Sequence, residues 1–130
     1  MPKTLLDKNL SVLEHKKHLL LDLYQNVINN YKKFPLAEKP SDIIPGEGFE
    51  DAKILFIGEA PGYYETVERR PFVGRSGKFF RQTLVQVGIL ESEVYITNIV
   101  KVRPPENRDP FPVEIEAYKI SRYLPKFLFE

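Results

Sequence analysis

Cysteine is absent from all 130 residues. Its absence excludes disulfides, thiolate nucleophiles and any thiolate-held metal or iron–sulfur centre. Histidine is nearly as scarce. His15 and His18 lie three residues apart on one predicted helix, beside Lys16 and Lys17, and read as solvated polar-face residues rather than metal ligands. A charge of one sign is also missing, because 19 basic and 18 acidic side chains leave a net +1. No global field draws such a chain onto a polyanion, so any nucleic-acid contact must come from a local cluster. The N-terminus alternates Lys, Leu and Asp and has no secretory apolar core. No apolar run nears the roughly 20 residues that span a bilayer. The expectation is a soluble cytoplasmic protein with no membrane partner, no metal and no soluble cofactor.

What is present is concentrated in a few segments. The apolar run Ile54-Leu55-Phe56-Ile57 reads as a buried strand, and Gly58-Glu59-Ala60-Pro61-Gly62 follows it as a tight turn. That turn puts Glu59 at the carboxyl end of a strand, where open α/β sheets bind ligands. A second strand over residues 94–100 carries the amide of Asn98 near its own carboxyl end. Two strands presenting a carboxylate and an amide to one crevice suit the recognition of a small molecule or a base.

The rest of the chain is sized for one domain. Residues 5–31 predict a long helix, with Leu10, Leu13, Leu20, Leu23, Tyr24, Val27 and Ile28 at helical spacing. It is expected to pack across the sheet or to form an arm over it, with partner binding as the lesser alternative. A Pro- and Gly-rich connector covers residues 32–52, and the motif-bearing α/β region runs from 53 to 130. Within it, residues 61–74 read as a loop, and residues 76–87 as a helix with Ser76 as N-cap and Gly88 as stop. A polar turn spans 103–110 and a last helix 113–129. A sheet of two strands is marginal by itself. An open edge and a still-periodic apolar pattern at Leu124, Phe127 and Leu128 predict association, as a homo-oligomer or with a partner chain that completes the sheet.

Four segments stand in order: Gly58-Glu59-Ala60-Pro61-Gly62, Arg70-Pro71-Phe72-Val73-Gly74-Arg75-Ser76-Gly77, Val94-Tyr95-Ile96-Thr97-Asn98-Ile99-Val100-Lys101, and Arg103-Pro104-Pro105-Glu106-Asn107-Arg108. Together they resemble the family-four uracil-DNA glycosylases, of the wider uracil-DNA glycosylase superfamily. The resemblance implies an α/β fold, a parallel sheet flanked by helices, of which this chain would hold the N-terminal part. It also implies hydrolysis of the N-glycosidic bond of deoxyuridine in DNA, the first step of base excision repair, with uracil-containing DNA as partner.

The resemblance also assigns roles. Phe72 would stack on the extruded uracil, the alternative being a plain core aromatic. Asn98 would read the uracil edge, offering an acceptor and a donor to N3–H and O4. Glu59 would align or activate the attacking water, or else stabilise the turn. Gly58, Ala60, Pro61 and Gly62 would shape the substrate pocket. Arg75 and Ser76, at a helix start, would hold a phosphate, and Lys101, Arg103 and Arg108 would touch the DNA backbone.

Two features depart from the family pattern. Where the family has four cluster-binding cysteines, this chain has Phe34, Ala37, Val102 and either Tyr118 or Ser121. These predict a dry apolar plug and exclude the iron–sulfur cluster. The family also continues with two further parallel strands and a His-Pro-Ser motif, for which nothing after Glu130 supplies a match. The alternative expectation is therefore a non-catalytic or incomplete descendant that binds DNA or uracil, or that assembles with a partner.

Overall fold

The computed structural model describes residues 4–119. Helix α1 (Leu5–Asn29) opens on a reciprocal cap, in which the Thr4 hydroxyl accepts the Asp7 N–H and the Asp7 carboxylate accepts the Thr4 N–H, both at 3.1 Å. Its inward stripe buries Leu20, Tyr24 and Val27. The helix stops two residues earlier than its periodicity suggests, and a single 3-10 turn (Tyr31–Lys33) leads into the connector.

The sheet has three strands, β1 (Glu47–Gly48), β2 (Ile54–Gly58) and β3 (Val94–Asn98), in the order β1-β3-β2. β2 runs parallel to β3, from Ile54 opposite Val94 to Gly58 opposite Asn98. β1 pairs antiparallel with β3, so the expected two-stranded parallel sheet is instead a mixed one. A two-residue strand ending in glycine has no alternation by which to be recognised. Central β3 is buried at every position, the pattern of a strand covered on both faces. Tyr95 faces α1 through Leu20 and Tyr24. Val94 and Ile96 face Leu84 and Phe80 of helix α3 (Arg75–Gln86). The sheet is thus sandwiched between α1 and α3, as expected of a helix packing across it.

Three further boundaries differ from expectation. The segment 61–74 contains a short helix, α2 (Tyr63–Glu68), whose start is held by the Glu65 carboxylate accepting the Gly62 N–H at 2.9 Å. Helix α3 begins at Arg75 with Gly74 as N-cap, which puts Ser76 inside the first turn rather than at the cap. β3 ends at Asn98, although Ile99 and Val100 still donate to the carbonyls of Gly58 and Glu59 at 2.9 and 3.0 Å. Helix α4 spans Pro112–Ala117. The remainder of the helix expected over 113–129 lies outside the described residues from 120 onward. No helix among the described residues is long and apolar enough to cross a membrane.

Candidate functional site

The parallel register sets the site. It places Gly58 directly beside Asn98 at the carboxyl ends of two adjacent strands, so the acidic turn and the amide emerge at one rim of the sheet. Asn98 is 5 % exposed. Its side-chain amide makes no hydrogen bond among the described residues, and it faces a cavity of about 340 Å³ that Phe72, Glu59, Glu65 and Ser76 also line. No buried side-chain polar atom among the described residues lacks a partner, so the amide keeps access to the cavity, its donor and acceptor open to a ligand.

Phe72 and Asn98 converge because residue 58 is glycine. A Cβ there would lie 2.4 Å from Asn98 Oδ1 and 2.7 Å from the Phe72 ring, closer than atoms can approach. Phe72 itself adopts a left-handed backbone, φ 56°, a conformation that costs an L residue about 1–2 kcal/mol. Two features hold it there. Its backbone lies against Gly77, where an added Cβ would stand 2.3 Å from the Phe72 carbonyl carbon. The Arg81 guanidinium donates to the carbonyls of Phe72 and Pro71 at 2.8 and 2.7 Å. The ring packs edge-on to Phe80, centroids 5.2 Å apart.

Arg81 is in turn anchored by Glu47 at 2.7 Å, and Glu47 also takes a two-bond fork from Arg70 at 2.9 and 2.8 Å. Partial burial pushes the Glu47 carboxyl upward, but the Arg70 and Arg81 guanidiniums outweigh it and hold the group below the ordinary carboxylate range. This gives the Pro45-Gly46-Glu47-Gly48 segment a definite task. Glu65 performs a similar one. Its two oxygens accept from Gly62 N–H and from Val73 N–H, the latter at 3.1 Å, tying together the loops on either side of the cavity. Neither Arg81 nor Glu65 was singled out from the sequence. Their partners are loop backbone groups and a distant carboxylate, which leave no local pattern.

Glu59 is exposed and lines both this cavity and an adjoining one of about 680 Å³, which Ala60, Pro61, Gly62, Arg75 and Ser76 also border. The structure therefore gathers the turn residues Gly58 to Gly62, Phe72, Asn98, Arg75 and Ser76 around two neighbouring cavities.

The basic residues after β3 divide. Lys101, expected on a DNA backbone, is 3 % exposed and donates to Thr97 Oγ1 at 2.7 Å and to the Asn98 carbonyl. It points inward beneath the Tyr24 ring rather than toward a ligand. Burial, with no ion pair among the described residues, pulls its pKa down to about 7. Arg103 remains at the surface, donating to Asn107 Oδ1 at 2.7 Å and lying 5.5 Å from the Tyr63 ring centroid. Arg108 borders the larger cavity. It also forms a two-bond pair with the buried Glu114 at 2.7 and 3.0 Å and lies 3.8 Å from the Phe111 ring centroid. Its first task is to fasten the polar turn to α4.

The match to known proteins follows this geometry. Residues 45–128, most of the chain, match the family model described as "Uracil DNA glycosylase superfamily". The chain belongs to the uracil DNA glycosylase superfamily. It is 43 % identical over 104 residues to the type-4 uracil-DNA glycosylase of Archaeoglobus fulgidus, covering 80 % of this chain and 51 % of that protein. To the type-4 enzymes of Sulfurisphaera tokodaii and Saccharolobus solfataricus it is 44 % identical over 105 residues, 80 % of this chain and 47 % and 48 % of theirs. The chain spans about half the length of the curated relatives it matches.

An iron–sulfur cluster does not fit this member of the superfamily. Phe34, Ala37, Val102 and Tyr118 gather in one apolar cluster around Val27, Ile43 and Val100. The Phe34 and Tyr118 ring centroids stand 5.2 Å apart, and the Tyr118 hydroxyl donates to the Pro35 carbonyl at 2.6 Å. No thiolate is present to ligate iron. Ser121 lies outside the described residues.

Proposed function

We propose that this site receives a uracil extruded from DNA and supports hydrolysis of its N-glycosidic bond, in base excision repair. The reading rests on one observation above all, an Asn98 amide that makes no hydrogen bond among the described residues and opens on a cavity beside the Phe72 ring. In this reading Asn98 pairs with N3–H and O4 of the base, while Phe72 supplies the stacking face. Water adds at the sugar carbon as the bond to the base nitrogen breaks and uracil leaves as an anion. Glu59, at the mouth, orients or deprotonates that water and stabilises the positive sugar. Arg75 and Ser76 take the flanking phosphate, and Arg103 and Arg108 add local positive charge. The same proposal puts the chain in the cytoplasm and asks for no cofactor.

The test is uracil release from a labelled uracil-containing oligonucleotide under enzyme excess. Asn98→Ala is expected to slow release roughly 10–100-fold, the worth of one or two hydrogen bonds. No release by folded parent protein would refute the catalytic part of the proposal.

A second reading is favoured by a specific observation. Among the described residues no Lys, Arg or His lines the smaller cavity, so none of them offers a cationic donor there to the charge developing on the uracil oxygen. Losing such a donor typically slows a reaction about 100-fold or more. In this reading the chain binds uracil or DNA without catalysing release, or acts only when a second chain joins along β2.

A further inference from the structure

Large aromatic side chains are rarely left in water without a reason. Among the described residues four are exposed: Tyr63 at 52 %, Tyr64 at 59 %, Phe79 at 72 % and Phe111 at 54 %. Their distribution is not scattered. Tyr63, Tyr64 and Phe79 all line the larger cavity, and Phe111 carries on its face Arg108, which lines it too. That cavity shares Glu59, Ala60, Glu65 and Ser76 with the one that Asn98 faces, so the aromatic cluster continues directly from the proposed base pocket. Arg75, also on its wall, supplies a cation, and Arg103 packs on Tyr63.

The two tyrosine rings stand 5.4 Å apart at 76° to one another. Successive bases of a duplex lie parallel and have both faces covered by their neighbours. Two nearly perpendicular rings cannot serve that stack. They suit a strand whose bases are separately free to turn, and every base offers the same π-face, so the contact does not depend on sequence.

We propose that Tyr63, Tyr64 and Phe79 form a stacking platform for unpaired bases of a single DNA strand, next to the nucleotide whose base enters the Asn98 cavity. The inference rests on the uracil-DNA reading above and adds to it a binding surface outside the Asn98 cavity, built on α2 and α3. The platform binds neighbours of the target nucleotide and takes no part in bond breaking.

The experiment measures equilibrium binding of short fluorescein-labelled oligonucleotides in three forms: single-stranded with one deoxyuridine, the same strand with thymidine, and the deoxyuridine duplex. Paired substitutions Tyr63→Ser with Tyr64→Ser are expected to weaken binding of both single strands about 5–100-fold, the worth of one or two lost base stacks. Duplex affinity is expected to stay unchanged, and the paired Tyr63→Phe and Tyr64→Phe variant to bind like the parent. The chain has no tryptophan and seven tyrosines, so the part of the tyrosine emission that the single strand quenches in the parent and not in the serine variant belongs to Tyr63 and Tyr64. Phe79→Ser, on a separate helix, repeats the test should the paired variant melt early. Unchanged single-strand affinity in both variants, or an equal loss on the duplex, would overturn the proposal. Failure of the uracil reading has a different signature: a parent that shows no preference for deoxyuridine over thymidine, with the serine variants still weakening both.

Discussion

Single residues carry most of this site, and Lys101 shows how far position and chemistry can separate. A lysine three residues past β3 and just ahead of a basic, Pro-rich turn invites assignment to a phosphate. The chain instead folds it inward, and its ammonium braces Thr97 and the carbonyl of Asn98. Its folded pKa, about 7, lies below the ordinary 10.5. The unfolded chain therefore binds more protons between those values, and stability must rise with pH across that window and level off below about 7. Urea unfolding between pH 7 and 9, short of tyrosine ionisation, should show a slope approaching about 1.4 kcal/mol per pH unit. Lys101→Met should flatten it. Asn98, Phe72 and Glu59 were legible because each stands in a short motif whose chemistry is local. Lys101 was misplaced because burial is decided by residues such as Tyr24, far away along the chain.

Elements came through unevenly, for reasons of length. α1, β2, α3 and β3 are long enough to display a period or an unbroken apolar run. β1, with two residues, and α2, with six, are not, and both are fixed by contacts made elsewhere. The tie between α3 and the Phe72 loop is of this second kind. Arg81, with its side chain 12 % exposed, holds two loop carbonyls and the Glu47 carboxylate together. Arg81→Ala would leave those acceptors unpaired in a partly buried setting, with an expected loss of about 2–4 kcal/mol by denaturant unfolding. Arg81→Lys should recover little, because a single ammonium cannot reproduce the fork that reaches three acceptors. Stacking by Phe72 should weaken in both variants, since its left-handed backbone is held by the same bonds.

At the scale of the whole molecule the sheet has two open ends among the described residues, the two-residue β1 and the five-residue β2, and Ile54 and Ile57 of β2 are 43 % and 50 % exposed. Such an edge is a template for pairing. Light scattering at micromolar concentration is expected to give a mass above the 15.1 kDa of one chain, and a lone monomer would count against assembly through β2. The scarcity of strands was legible in the sequence and motivates this expectation, but the strand arrangement was not, because the two-residue antiparallel β1 beside β3 has no period to reveal it. The longer of the two end strands, β2, is also the one that ends in Gly58, the residue wedged between the Asn98 amide and the Phe72 ring. A chain docked along β2 would therefore grip one wall of the Asn98 cavity. If docking stiffens that wall, tighter base binding follows, and thermodynamic reciprocity requires that a filled cavity strengthen docking by the same factor. On that condition, assembly along β2 and base recognition would be two readings of a single equilibrium.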